Sequence, residues 1–372
     1  MSRLGVRVLK LARALLQPRR RPASTVKRIL VAHNLLLGDT ILLAPLLKAL
    51  ALRYPEAERV VLCRPAYVPL FAGAPYGAKA LAFERRSAES QRAVMRSGPY
   101  DLALVPDDNR YAWLARAAGA RWIVGFANDR PAWKNWMLDE AMTYPTEPAA
   151  WADMALALAH SESVPAYRVG EWPAPLPGRG HEQLARLGTR YAVLHVGAST
   201  PLKLWPAERW RLLADELRRR HCEIVWSAGA GEDEVLKAVG VRPGEHSLVG
   251  TLDLGSLWAL LAGAQLLVCP DTGIAHLARV VGVPTIALFG PGSAIVHGPG
   301  RFWKDAPYWV VTDASYPCRD QTVLYRRDIA WVARCGRGFG PAPGQCPRAG
   351  CMEVLAFDAV KDLLESACAL PR

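Results

Sequence analysis

The chain has 372 residues, which suits two domains of ordinary size or one large one. Hydrophobic residues make up 51% and charged residues 22%, a globular composition that excludes a disordered or low-complexity scaffold. The net charge is +12, but nine of those charges are Arg3, Arg7, Lys10, Arg13, Arg19, Arg20, Arg21, Lys27 and Arg28, a stretch without an acid. The rest of the chain is close to neutral, whereas a nucleic-acid enzyme usually carries a basic face on its folded domain as well; no nucleic-acid partner is expected.

Residues 1–26 read as a basic amphipathic tail. Leu4, Val8, Leu11 and Leu15 recur at helical spacing, with Arg3, Arg7, Lys10 and Arg13 between them, until Pro18 stops the pattern. Such a helix, over residues 1–21, can lie on an anionic membrane surface; a disordered basic extension or a packed helix are the alternatives. Charges interrupt every apolar stretch and no small-residue cleavage site follows, so a secretory signal is not expected. No apolar run reaches the roughly 18 residues of a membrane span. Without an export signal, the eight cysteines are expected to be reduced thiols in the cytoplasm.

From Lys27 onward short apolar runs alternate with helical stretches. Strands are predicted over 28–33, 59–63, 80–83, 101–105 and 122–126, with helices such as 40–53 and 89–96 between them. Pro165, Pro173, Pro175, Pro177, Gly178 and Gly180 then mark a linker. A second series follows over 191–196, 223–227, 247–249, 265–269, 285–289 and 309–311. The expected architecture is α/β: two doubly wound Rossmann-like domains, 27–172 and 183–372, joined by a linker at 173–182 and facing each other across a cleft.

The strand at 28–33 runs into Asn34-Leu35-Leu36-Leu37-Gly38-Asp39-Thr40. Asp39 at a strand's carboxyl end could act as a general base toward a substrate hydroxyl; it could equally be the N-cap of the following helix. No Gly-x-Gly-x-x-Gly follows this strand, which disfavours a dinucleotide oxidoreductase. In the second half, Gly197-Ala198-Ser199-Thr200-Pro201-Leu202-Lys203 offers small residues whose amides can approach an anion, plus a lysine that is either a cationic ligand or a solvated surface side chain. Ala228-Gly229-Ala230-Gly231-Glu232 is a glycine turn with an acid that could hold a ribose or a base edge, or could merely complement the dipole of the helix that follows. Pro270-Asp271-Thr272-Gly273-Ile274-Ala275-His276 would open a helix whose free amides face the cleft. His276 alone reads as a packed helix residue. Asp-Thr-Gly also occurs in aspartic proteases, but they need two such loops in an all-β fold. With the turn at Phe289-Gly290-Pro291-Gly292-Ser293, four small-residue strand ends in one half point to a phosphorylated ligand.

Gly38-Asp39-Thr40, the segment from His195 to Pro206 with Lys203-Leu204-Trp205-Pro206, and Asp271-Thr272-Gly273-Ile274-Ala275-His276 together resemble glycosyltransferase family 9, the ADP-heptose:lipopolysaccharide heptosyltransferases. The resemblance runs from about Lys27 to the last helix. It implies the GT-B fold, with the acceptor on the N-terminal half and the ADP-sugar on the C-terminal half, and inverting transfer that is metal-independent and needs no cofactor. It places the base on Asp39, the phosphate-binding lysine on Lys203, the diphosphate loop on Asp271, Thr272, Gly273 and His276, and an adenosine-contacting acid on Glu232. The implied partners are ADP-heptose and a lipid-anchored lipopolysaccharide core acceptor, with the enzyme cytoplasmic or peripheral on the inner face of the inner membrane. The alternative is a same-fold transferase using another nucleotide sugar or a different glycan or protein acceptor.

One region departs from the pattern. Residues 346–352 resemble the family's Cys-rich end before a final helix at 358–368, but the stretch 319–345 is longer than expected. Cys318, Cys335, Cys346 and Cys351 could form a structural zinc or iron site. Their spacings fit no standard Cys-x2-Cys ribbon, which favours free buried thiols.

Overall fold

The computed structural model describes residues 3–18 and 21–368; Met1, Ser2, residues 369–372 and the tail's Arg19 and Arg20 lie outside the described residues. In the first half, β1 (Arg28–Val31), β2 (Glu58–Cys63), β3 (Ala78–Ala82), β4 (Tyr100–Val105), β5 (Ala120–Phe126) and β6 (Glu140–Met142) form one parallel sheet in the order β3-β2-β1-β4-β5-β6. Ile29, Leu30 and Val31 are all buried, because helices cover both faces of the sheet; hence the unbroken apolar run rather than an alternating one. In the second half, β7 (Tyr191–His195), β8 (Glu223–Ser227), β9 (His246–Ser247), β10 (Leu266–Pro270), β11 (Thr285–Phe289) and β12 (Tyr308–Thr312) pair in the order β12-β11-β10-β7-β8-β9. Counted from its own first strand, each half has the same order. The winding reverses between β1 and β4 in one sheet and between β7 and β10 in the other, and the crevice beyond those strand ends is where such sheets bind ligands.

The helices are α1 (Arg3–Leu16), α2 (Leu37–Ile41), α3 (Ala44–Arg53), α4 (Ala88–Ser97), α5 (Arg110–Ala117) and α6 (Trp151–Met154) in the first half, then α7 (Ala207–Arg219), α8 (Asp233–Val239), α9 (Leu254–Gly263), α10 (Gly273–Val281), α11 (Gly350–Glu353) and α12 (Phe357–Cys368). The helix expected over 40–53 is two helices. Pro45, which has no amide hydrogen to give, sits in the opening turn of α3, and α2 ends before it. The sequence reading also missed β6: Glu140-Ala141-Met142 is three residues long and has no β-branched or aromatic side chain.

The basic tail is a docked helix. Val6 and Ala14 of α1 are buried in the core that α4 and α5 share, so the predicted stripe of Leu4, Val8, Leu11 and Leu15 faces outward and is exposed, as is Leu16. The Pro/Gly stretch has no helix or strand over 173–180, and a short 3-10 helix (His181–Arg186) begins before its predicted end; it follows Trp172, whose indole N–H donates to the Leu70 carbonyl at 2.7 Å. One continuous apolar core runs from Ile29 and Leu46 of the first half to Ile274 and Leu277 of the second, which fixes the two sheets about the cleft. At the C-terminal end, α12 buries Val360, Leu364 and Ala367 with α7 and β11.

Candidate active site

The chain leaves β1 and enters α2 with Leu36 as the N-cap and no side-chain capping bond. Asp39 is thus inside the first turn and does not cap the helix, which removes the alternative that the sequence left open. Its Oδ1 instead accepts the Tyr325 hydroxyl at 2.8 Å, and His297 Nε2 lies 3.8 Å from the same oxygen. Across the cleft, α10 starts at Gly273 with Thr272 as N-cap. Its first-turn amides carry the positive end of the helix dipole; that of Ala275 donates to the Thr272 carbonyl at 3.1 Å.

Lys203 lies at the end of the loop after β7. Its Nζ donates to the Asp271 carbonyl at 2.6 Å and to Asp271 Oδ2 at 3.0 Å. Burial alone would raise the Asp271 carboxyl, but Lys203, with His297 and His276, overrides it and holds it at about 2. Burial keeps His276 well below the usual imidazole range, with Arg279 adding to the effect and Asp271 opposing it. Burial likewise lowers His297, despite the nearby Asp271 and Asp39. Burial thus favours the neutral form of both rings, and the cations among the cleft's lining residues are Lys203 and Arg334. Glu232 precedes α8, and its Oε2 accepts the Gly229 amide at 2.5 Å, closing the glycine turn.

A cleft of about 450 Å³ is lined by Asp39, Ser199, Lys203, Glu232, Asp271, Thr272, Gly273 and His276, so residues far apart in sequence share one site. Thr200 is not among the lining residues; its hydroxyl accepts the Leu202 amide and caps the turn that carries Lys203. The lining also includes His195, His297, Tyr325 and Arg334, which the sequence reading did not single out. His297 comes four residues after the small-residue turn at 289–293, a signal that was followed only to Ser293. Tyr325 lies in the long stretch 319–345 and left no local signal.

A second cavity of about 410 Å³ adjoins the first on the side of the N-terminal half, sharing Leu36, Asp39 and Tyr325 and adding Asn34, Arg64, Arg85, Asp107, Asp108, Tyr111 and Arg326. Burial pushes the Asp107 carboxyl up to about 7; Asp108 and Asp39 reinforce it, and a backbone amide opposes it. Asp108 is held at about 2, because the Arg110 amide, Arg326 and Lys134 outweigh its burial.

The four cysteines are free thiols: Cys335 and Cys351 are buried, Cys318 and Cys346 half-buried. Burial and the neighbouring thiols raise Cys318, and the same causes push Cys351 up to about 11. Among the described residues, no group of three or more His, Cys, Asp or Glu side chains is arranged to hold a metal.

The sequence model of glycosyltransferase family 9 (heptosyltransferase) matches residues 90–323, well over half of the chain. The chain belongs to glycosyltransferase family 9. The lipopolysaccharide heptosyltransferase 1 of Pseudomonas aeruginosa is 29% identical over 247 residues, which cover 63% of this chain and 65% of that protein. The match thus spans just under two thirds of that relative's length. Among solved structures, a family 9 glycosyl transferase from Veillonella parvula superposes with a TM-score of 0.69 at 19% identity, covering 93% of this chain and 98% of that one. An E. coli heptosyltransferase solved with ADP superposes at 0.65 and 18% identity, covering 91% and 99%. These likenesses are of fold: this family 9 chain has the GT-B architecture that its two like-wound sheets form about the cleft.

Proposed function

We propose that this family 9 protein transfers heptose from ADP-heptose to a sugar hydroxyl of a lipopolysaccharide core acceptor, inverting the anomeric centre without a metal. One observation carries the reading. Asp39, beyond β1, and the group of Lys203, Asp271 and the α10 amides, beyond β7 and β10, line the same cleft at the points where the two sheets reverse their winding. The diphosphate would lie between Lys203 and the start of α10, with Glu232 toward the adenosine. The like-folded E. coli heptosyltransferase was solved with ADP, which supports a nucleotide of this kind.

The acceptor would enter through the adjoining cavity, where Asp39 meets both spaces. Asp39 takes the proton of the acceptor hydroxyl as its oxygen attacks the anomeric carbon from the face opposite ADP. The bond from that carbon to the β-phosphate oxygen breaks, and ADP leaves with the electron pair. The charge gathering on the departing diphosphate is met by the Lys203 ammonium and the α10 amides, preorganised cationic and dipolar groups that act most strongly on the charge of the transition state.

Calorimetric titration with ADP-heptose, UDP-sugars and GDP-sugars in excess EDTA tests the donor side. Selective binding of the adenine nucleotide, lost in Lys203→Ala, is expected. Preference for UDP or GDP would point to a same-fold transferase with another donor, and loss of binding in EDTA would contradict metal independence.

No helix among the described residues is long and apolar enough to cross a membrane. The exposed leucines of α1 are flanked by Arg3 and Arg7, which share a small basin with Arg85 and Arg86. An apolar stripe fringed by arginines complements an anionic bilayer surface, and Arg85 also lines the cavity next to Asp39. Docking at the cytoplasmic face of the inner membrane would bring a lipid-anchored acceptor to that cavity.

A further inference from the structure

The long stretch after β12 reaches back across the cleft. Its strands β13 (Val323–Leu324) and β14 (Arg327–Asp328) pair in antiparallel register, Val323 with Asp328 and Leu324 with Arg327, leaving Tyr325-Arg326 as a two-residue loop. Both loop residues have positive φ, 46° and 66°. Tight hairpins of this kind favour Asn-Gly, because bulky side chains resist the left-handed region. A Tyr-Arg tip is retained where the surroundings over-determine it, and such outliers gather at functional sites.

The surroundings here belong to the N-terminal half. Arg327, almost wholly buried, donates to the carbonyls of Asp107 (2.5 Å), Ala127 (2.8 Å) and Phe126 (3.0 Å). Arg326 pairs with Asp108. The Tyr325 ring lies 4.6 Å from that of Trp151, centroid to centroid. The strained tip thus delivers one phenol to one carboxylate oxygen, Asp39 Oδ1. Among the described residues no group hydrogen-bonds Asp39 Oδ2, which is left to the two cavities that Asp39 lines.

We propose that Tyr325 is a positioning residue for the transfer reaction: its hydroxyl pins Oδ1 so that Oδ2 of Asp39 faces the acceptor hydroxyl, and the Tyr325-Arg326 hairpin exists to deliver it. The inference rests on Asp39 being the base. A carboxylate free to rotate spends much of its time misaligned, and small misplacements of a reacting group cost rate rather than affinity.

The test compares wild type, Tyr325→Phe and Asp39→Asn in the full chain, measuring kcat, acceptor KM, ADP-heptose affinity and Tm. Tyr325→Phe keeps the ring on Trp151 and removes only the hydroxyl. We expect its kcat to fall about tenfold to a hundredfold, the range set by losing one hydrogen bond to a charged group. Donor affinity, acceptor KM and Tm should stay within about twofold or a degree or two of wild type. Unchanged kcat in Tyr325→Phe beside an inactive Asp39→Asn overturns the proposal alone. A fall in kcat matched by loss of donor binding or of Tm also overturns it, by making Tyr325 structural. Activity in Asp39→Asn overturns the assignment of the base and the proposal with it.

Discussion

Gly38 lies flush against the imidazole of His276: a Cβ at position 38 would overlap the ring's Cδ2 and sit 3.2 Å from Nε2. The reciprocal contact is also tight, since a Cβ on Gly273 would come within 3.1 Å of the Leu37 Cβ. These two glycines let α2 of one half and α10 of the other touch, and Asp39 and the Asp271–His276 segment ride on those two helices. The distance between Asp39, the proposed base, and that segment is thus set by residues that carry no functional group.

Gly38→Ala should therefore act at a distance from the chemistry it disturbs. The added methyl must push α2 and α10 apart at a cost of about 1–3 kcal/mol, the usual penalty of overpacking. A shift of Asp39 near 1 Å would lower kcat by about a hundredfold. Urea unfolding and steady-state kinetics measure the two effects, and a variant with normal kcat would show that the α2–α10 spacing is not critical.

The ion pair of Lys203 and Asp271 has a pH signature. Asp271 is held at about 2, below the ordinary carboxylate value, so its contribution is present above about pH 4 and is lost as pH falls through 2. Integrated over that shift, it amounts to about 2 kcal/mol. Lys203→Ala leaves a buried carboxylate without its cation and should cost about 3 kcal/mol at pH 7. Because the stranded carboxyl protonates readily in the variant, the gap from wild type should narrow between pH 7 and pH 4. Unfolding curves at the two pH values measure it; a gap that is constant or grows toward pH 4 would contradict this electrostatic account.

How much of this was legible beforehand follows from where each residue sits in the chain. Lys203, Glu232 and Asp271 each follow a strand of the second half within a short loop, so period and turn residues place them on one rim, and Asp39 follows the first strand of the other half. Position on that rim does not say what each side chain touches. The Lys203–Asp271 pair joins two loops, and Glu232 bonds the turn that precedes it. Tyr325 reaches Asp39 across 286 positions of sequence, from a hairpin with no Asn-Gly or Asp-Gly to mark it. The α1 stripe was legible as a stripe but its direction was not. Val6 and Ala14, the face that is buried, are small or isolated among arginines, and the larger leucines attract attention to the exposed face.

That exposed face makes its own prediction. Leu11→Glu with Leu15→Glu should reduce binding to vesicles containing anionic lipid by at least about tenfold, since each buried leucine contributes roughly 1.5–3 kcal/mol. Tm should hardly change, because neither residue is buried in the fold. Binding should weaken in high salt and be slight on zwitterionic vesicles. Co-sedimentation decides it, and equal binding by wild type and variant would place the contact elsewhere.

The most direct test of the central claim is transfer itself. The full chain is mixed with ADP-heptose and a lipopolysaccharide core acceptor in excess EDTA, and the product's anomeric configuration is determined by NMR, with Asp39→Asn run in parallel. The account predicts a heptosylated acceptor of inverted configuration, and a loss of about a hundredfold to ten-thousandfold in Asp39→Asn, the usual worth of a general base. Retained configuration, no transfer without metal, or undiminished turnover in Asp39→Asn would contradict it.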